Sequence, residues 1–232
     1  MKKNYVFYYI ILSISAALLI ILLALFSPLK INTITWYDKL FLSVLIIIGC
    51  LFGYNLAFHP SWLKKYSKTN IQTKKNQRTT KRKREGHHPN CSKFQNHTIL
   101  INDKKFCTGC LGLCLGCITA ILLVIIYLNF DIIWSSVILY FLIVIGLIMI
   151  FLSYIETVLT RKHRIFHIIS NIALVLGFLL VTISIFEITG NKIYGLVGII
   201  LSVLWLDTRI QLSNWRHSQT CIKCIEKCKM YQ

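Results

Sequence analysis

Residues 5–26 read YVFYYIILSISAALLIILLALF, twenty-two positions without a single charge. A helix needs ~20 apolar residues to cross the hydrocarbon core of a bilayer, so this stretch is long enough to span. Lys2 and Lys3 give it the basic start of a signal peptide. The apolar part of a signal peptide runs only ~7–15 residues and ends in a small-residue cleavage pattern. Here Ser27-Pro28 closes the run instead, which predicts an uncleaved first span. The same reading along the chain predicts further spans at residues 40–58, 107–128, 132–155, 165–186 and 193–212. Asp131 and the stretch 187–192 mark short turns between them. The expectation is an all-α membrane protein, a bundle of about six transmembrane helices with a Cys/His-rich loop and tail on the cytoplasmic side.

Composition agrees. Of 232 residues 56% are hydrophobic, only 15% are charged, and the mean hydropathy is +0.64. A soluble domain carries nearer a quarter charged residues. Even so, Lys and Arg number 26 against 8 Asp and Glu, a formal charge of +18, so the basic residues are crowded into the few polar stretches. Thirteen of them lie in residues 59–106. With six spans this loop faces the same side as the amino terminus, the Arg161–Arg164 turn and the tail with Arg216, Lys223, Lys227 and Lys229. The opposite side holds only Lys30, Lys39 and Lys192. Excess Lys and Arg stay inside, which predicts a multi-pass protein of the cell membrane with both termini cytoplasmic. The organisation is then residues 1–58, spans one and two; 59–86, a basic loop; 87–110, a Cys/His-rich segment; 107–213, spans three to six; and 214–232, a Cys-rich tail.

Residues 64–84 are rich in Lys, Arg, Thr, Asn and Gln, and such a segment buries too little surface to fold. Beside a bilayer its cations attract anionic lipid headgroups at about 1 kcal/mol each. A nucleic-acid partner ranks below lipid, because no aromatic residues interleave with Lys81-Arg82-Lys83-Arg84. The sixth span is short: fourteen uncharged residues separate Lys192 from Asp207, about 21 Å of helix. Asp207 and Arg209 are expected to snorkel or pair at the inner headgroup layer. An ionisable pathway through Glu156, His167, Asn171, Asp207 and Arg209 is the sharper alternative.

Nine cysteines carry the remaining chemistry. Cys107-Thr108-Gly109-Cys110 and Cys221-Ile222-Lys223-Cys224 are two Cys-x2-Cys pairs on the side assigned to the reducing cytoplasm, with Cys91, His97 and Cys228 nearby. There, clustered thiols read as metal or redox centres rather than disulfides. Two intervening residues let both sulfurs reach one tetrahedral zinc ion. Cys107 and Cys110 are therefore expected as zinc ligands, completed by Cys91, His97 or the tail thiols Cys221, Cys224 and Cys228. Cys114 and Cys117 continue the stripe on the same helical face. Cys114 stands about 10 Å along the helix from Cys107, too far to share a tetrahedral ion, and both are expected to pack in the bundle. Gly112 and Gly116 form a Gly-x3-Gly pair suited to close helix contact.

The segment from Cys91 through Phe94 and His97 to Phe106-Cys-Thr-Gly-Cys-Leu-Gly-Leu-Cys-Leu-Gly116 resembles an uncharacterised family of small prokaryotic predicted membrane proteins. In that family a Cys/His and aromatic segment leads into a Cys-x2-Cys-x-Gly motif opening a transmembrane helix. Cys91, Phe94, Cys107, Cys110, Gly112 and Gly116 match. Gly109 stands where the family has Arg, and Glu156 matches its acidic position. The resemblance covers about residues 88–117 and implies no activity.

Two further classes compete with a structural zinc site. Cys107 at a helix amino terminus suits a membrane thiol redox pair, and the thiol count also permits an iron–sulfur cluster, although the spacing matches neither ferredoxin run. A transporter or metal sensor is the third. No Ser-His-Asp grouping, phosphate loop or carboxylate pair names a reaction, so the sequence leaves open whether the protein is an enzyme.

Overall fold

The computed structural model describes residues 3–26, 34–58, 84–85, 88–89, 94, 97–101, 104–130, 134–159 and 163–222. Among them are six long helices: α1 (Lys3–Phe26), α2 (Trp36–Phe58), α3 (Thr108–Asn129), α4 (Ser136–Val158), α5 (Arg164–Thr189) and α6 (Lys192–Ile222). Each contains a window apolar enough to cross a bilayer. The chain is a multi-pass membrane protein. Exposed side chains such as Phe7, Leu22, Phe52, Phe141, Phe166, Ile200 and Val203 cover the outside of the bundle, where lipid rather than water is the solvent.

Local chemistry explains where the helices start and stop. Thr35 and Asp38 cap α2 reciprocally: Thr35 Oγ1 donates to Asp38 Oδ2 at 2.7 Å, and Asp38 N–H donates back to Thr35 Oγ1 at 3.3 Å. Ser135 caps α4, accepting from Ile138 N–H. At the α5–α6 turn Gly190 takes φ 65°, the left-handed conformation that ends a helix at least cost to glycine. Asn191 Oδ1 then accepts from Ile193 N–H to start α6.

Two features differ from the expectation. The last helix does not end near residue 212 but runs 31 residues to Ile222. No Gly or Pro interrupts it after Gly198, and polar residues extend it through i,i+4 pairs such as Gln211 Nε2 to Asp207 Oδ1 at 3.1 Å. The segment before α3 also contains short antiparallel pairs. Strand β1 (Arg84–Glu85) pairs with β2 (His88–Pro89), and β3 (Thr98–Ile101) with β4 (Lys104–Cys107), in the register Thr98↔Cys107 and Ile99↔Phe106. Most of the basic loop, including residues 64–83, lies outside the described residues.

Helix α5 is the hub, packed against both α4 and α3. Its approach to α3 depends on small residues. A Cβ at Gly112 would stand 2.6 Å from the Ile168 carbonyl oxygen and 2.8 Å from Asn171 Cβ, and one at Gly116 would stand 3.0 Å from Val175 Cβ. The expected Gly-x3-Gly contact is thus the α3–α5 seam. Opposite it, α1, α4 and α6 are knotted by polar groups. Fully buried Trp205 donates its indole N–H to the Ser13 carbonyl at 3.1 Å, and Tyr154 O–H donates to the Trp205 carbonyl at 2.9 Å. At the far end of the bundle Tyr127 of α3 donates to Glu187, which is buried in α5 rather than exposed in a turn. Lys39 sits 5.5 Å from the centre of the Tyr127 ring, and Lys192 Nζ reaches Asp38 Oδ1 at 3.5 Å.

Gly112→Ala is expected to force α3 from α5 and cost about 1–3 kcal/mol, as overpacking does. Gly49→Ala, with nothing within 4 Å of the added methyl, is expected to leave stability unchanged or raise it slightly. Thermal unfolding of the two purified variants in detergent checks both.

Candidate functional site

The end of the bundle that carries Lys3 and the loop before α3 gathers the polar side chains that a membrane interior normally excludes. Cys107 closes β4 and precedes α3, so the hairpin delivers it directly to the helix start. Thr108, fully buried, donates its hydroxyl to the His97 carbonyl at 3.2 Å and ties the loop to that start. Cys110 follows one turn later on the same face of α3. The described cysteines are all reduced thiols.

His97 faces the bundle and is buried with Phe94, which is 2% exposed. The His97 ring lies 5.1 Å from the Phe94 ring, 5.1 Å from that of His217 on α6 and 6.3 Å from that of His167 on α5. Phe94 also packs on His217 at 5.3 Å. The loop, α5 and the end of α6 therefore meet through three imidazoles and one phenyl ring. Cys221, buried and four residues beyond His217, lies one turn further along the same stripe of α6.

His167 is held in a defined orientation. Its Nδ1 lies 3.0 Å from Glu156 Oε2 of α4, and the imidazole side chain is 4% exposed. A carboxylate only accepts, so Nδ1 carries the proton, and Nε2 is the nitrogen that presents a lone pair when the ring is neutral. That nitrogen points at the start of α3. The position a Gly109 Cβ would occupy is 2.9 Å from His167 Nε2 and 3.7 Å from Cys107 Sγ. A side chain at 109 would fill the gap between imidazole and thiol, and glycine leaves it open. Asn171 Nδ2 sits 3.5 Å from the same Nδ1.

Arg209 is the further buried charge, 5% exposed, with Nε donating to Ser153 Oγ at 3.3 Å. The sequence offered snorkelling or pairing for it, and the structure places it inside the bundle among protein groups. Asp207 Oδ1 accepts from Gln211 Nε2 at 3.1 Å. The helix continues past both residues, so neither has to reach for the headgroup layer to end the span.

Of the seven residues expected as metal ligands, His97, Cys107, Cys110 and Cys221 lie at this end of the bundle, while Cys91, Cys224 and Cys228 lie outside the described residues. Among the described residues no three His, Cys, Asp or Glu side chains stand close enough together to hold a metal ion. What does meet at this end is the Cys107 thiol and an imidazole whose Nδ1 is held by a carboxylate. Sequence reasoning missed His217 and placed His167 only in a candidate ionisable pathway, not at the metal site. The i,i+4 spacing of His217 and Cys221 was the available signal. It has meaning only on a helix, and the helix had been ended too early.

His167 and Glu156 are expected to couple. In a double-mutant cycle of His167→Ala and Glu156→Ala the interaction energy should fall at about 0.5–3 kcal/mol, measured by unfolding in mixed micelles. Additive effects would mean that the pair contributes no joint stabilisation. No family model, curated protein or solved structure matches the chain, so what it does has to be read from this geometry.

Proposed function

We propose that this protein is a multi-pass protein of the cell membrane whose long loop and last helix are clamped beneath the bundle by a structural zinc site. Cys107 and Cys110 supply the thiolates. His97, Cys91 or a tail thiol among Cys221, Cys224 and Cys228 completes the set, and the structure adds His167 and His217 as imidazole candidates. The observation that carries the reading is the Glu156–His167 pair, with Nε2 aimed at the opening beside Cys107. A carboxylate behind an imidazole is the arrangement that orients a metal-bound histidine and raises its basicity. A closed site of this kind contributes folding energy directly, which suits a loop that has little core of its own.

Orientation belongs to the same proposal. The clustered Lys and Arg place this end in the cytoplasm, where thiols remain reduced. On that side the cations of residues 64–84 attract anionic headgroups. One observation favours a second reading, a thiol redox pair: Cys107 and Cys110 are both reduced thiols, one turn apart at the start of α3. A disulfide there would need no metal.

Protein purified under reducing, chelator-free conditions should contain close to one zinc per chain. Cys107→Ser/Cys110→Ser should lose it and unfold at lower temperature. Metal-free wild-type protein that is equally stable would overturn the zinc reading, and a Cys107–Cys110 disulfide trapped in cells by acid quenching would favour the redox one. A membrane-impermeant maleimide applied to intact cells should leave Cys91 and Cys228 unlabelled, and labelling of either would reverse the orientation.

A further inference from the structure

The β3–β4 hairpin leads into α3 at the edge of the membrane. Helix α3 has 22 residues, about 33 Å, against a hydrocarbon core of ~30 Å, so Thr108 stands at the boundary of that core. Lys104 opens β4 only four residues before Thr108, which keeps that end of the hairpin within about 13 Å of the boundary. Side chains of a strand alternate between its faces, and directly opposed residues share a face. The pairs Thr98↔Cys107 and Leu100↔Lys105 therefore make one face, and Ile99↔Phe106 and Ile101↔Lys104 the other. Both faces carry apolar residues, and protein covers only part of them. Cys107 is 8% exposed, whereas Leu100 is 57% exposed, and Ile99 and Phe106 are half-buried. A lone two-stranded hairpin is at best marginally stable in water and needs an apolar surface to lie against.

We infer that the turn end of this hairpin lies on the bilayer surface, with Leu100 set into the boundary between the headgroups and acyl chains of an anionic leaflet. Lipid is the occupant because β4 runs straight into a membrane-spanning helix. The uncovered residues of the hairpin are thereby continuous with the exposed, lipid-facing Leu115 and Ile118 of α3. Charge selects the kind of lipid. Lys104 and Lys105 outweigh Asp103, so the turn end is positive. Segments that lie in the interface bind through buried apolar area together with the attraction of Lys and Arg to anionic headgroups. Leu100 stands opposite Lys105 in the register, which puts both kinds of residue at one point of the hairpin. The contact adds an apolar anchor beside the cysteines at the start of α3, where residues 64–84 offer charge alone. It rests on neither the zinc site nor the orientation of the chain.

The test puts the photoreactive residue p-benzoylphenylalanine in place of Leu100 in the full-length protein, reconstituted in vesicles of phosphatidylglycerol and phosphatidylethanolamine. The same residue in place of Phe141, an exposed position on α4, is the reference for contact with acyl chains. After irradiation, mass spectrometry should find lipid adducts at both positions. Replacing phosphatidylglycerol by phosphatidylcholine should lower the yield at Leu100 by about fivefold and leave that at Phe141 unchanged. Adducts at Phe141 with none at Leu100 would overturn the inference, as would a crosslink from Leu100 to another part of the chain or to a second copy. Equal yields at Leu100 in the two lipids would overturn the assignment to an anionic surface. Leu100→Trp gives a second readout should the benzophenone protein fail to fold. Its fluorescence above the wild-type background should be quenched by brominated acyl chains, and emission untouched by them would count against the contact.

Discussion

The close approach of α3 to α5 is the constraint from which the rest follows. It exists because Gly112 and Gly116 carry no side chain where the Ile168 carbonyl and the Asn171 and Val175 side chains press in. Between helices in lipid there is little hydrophobic gain, since the tails are as apolar as the side chains, so association relies on tight packing and polar contacts. Gly109 continues the same face one turn earlier, and there the narrow gap serves a different end. It brings the His167 imidazole to the Cys107 thiol. One seam of small residues thus both holds the bundle and sets the spacing of its reactive groups.

The second ordering influence is the cost of polar groups in a low-dielectric interior. Each one must find a partner, and the partners available are on other helices. Ser13, Tyr154 and Trp205 draw α1, α4 and α6 together. Tyr127 and Glu187 join α3 to α5 at the far end, while Glu156 and His167 join α4 to α5 at the near end. These contacts fix the rotation of each helix about its axis, which apolar side chains alone leave loosely determined.

The six spans were legible because charge-free runs of about 20 residues leave no alternative fold. The Gly112/Gly116 contact and the burial of Cys114 and Cys117 were legible from spacing on a helical face. What escaped was whatever depended on a helix lasting longer than its apolar stretch. Residues 214–222 look like a tail by hydropathy. They continue α6 because nothing in them breaks a helix and because Trp205, Thr208, Arg209, Leu212 and His217 are buried against the bundle. Glu187 was read as a turn residue for the same reason, a charge taken as the end of a span, until Tyr127 is seen to accommodate it inside.

Sequence by itself therefore determined the solvent of this protein, the number of its spans, and the crowding of Lys, Arg, Cys and His into a few polar stretches. Those are properties of consecutive residues, set by transfer free energies and by the 3.6-residue period. Only the tertiary structure decided which of them meet: His97 with His217 and Glu156 with His167. Both pairs join different segments of the chain. Their meeting depends on how helices rotate and approach, which one-dimensional hydropathy does not encode.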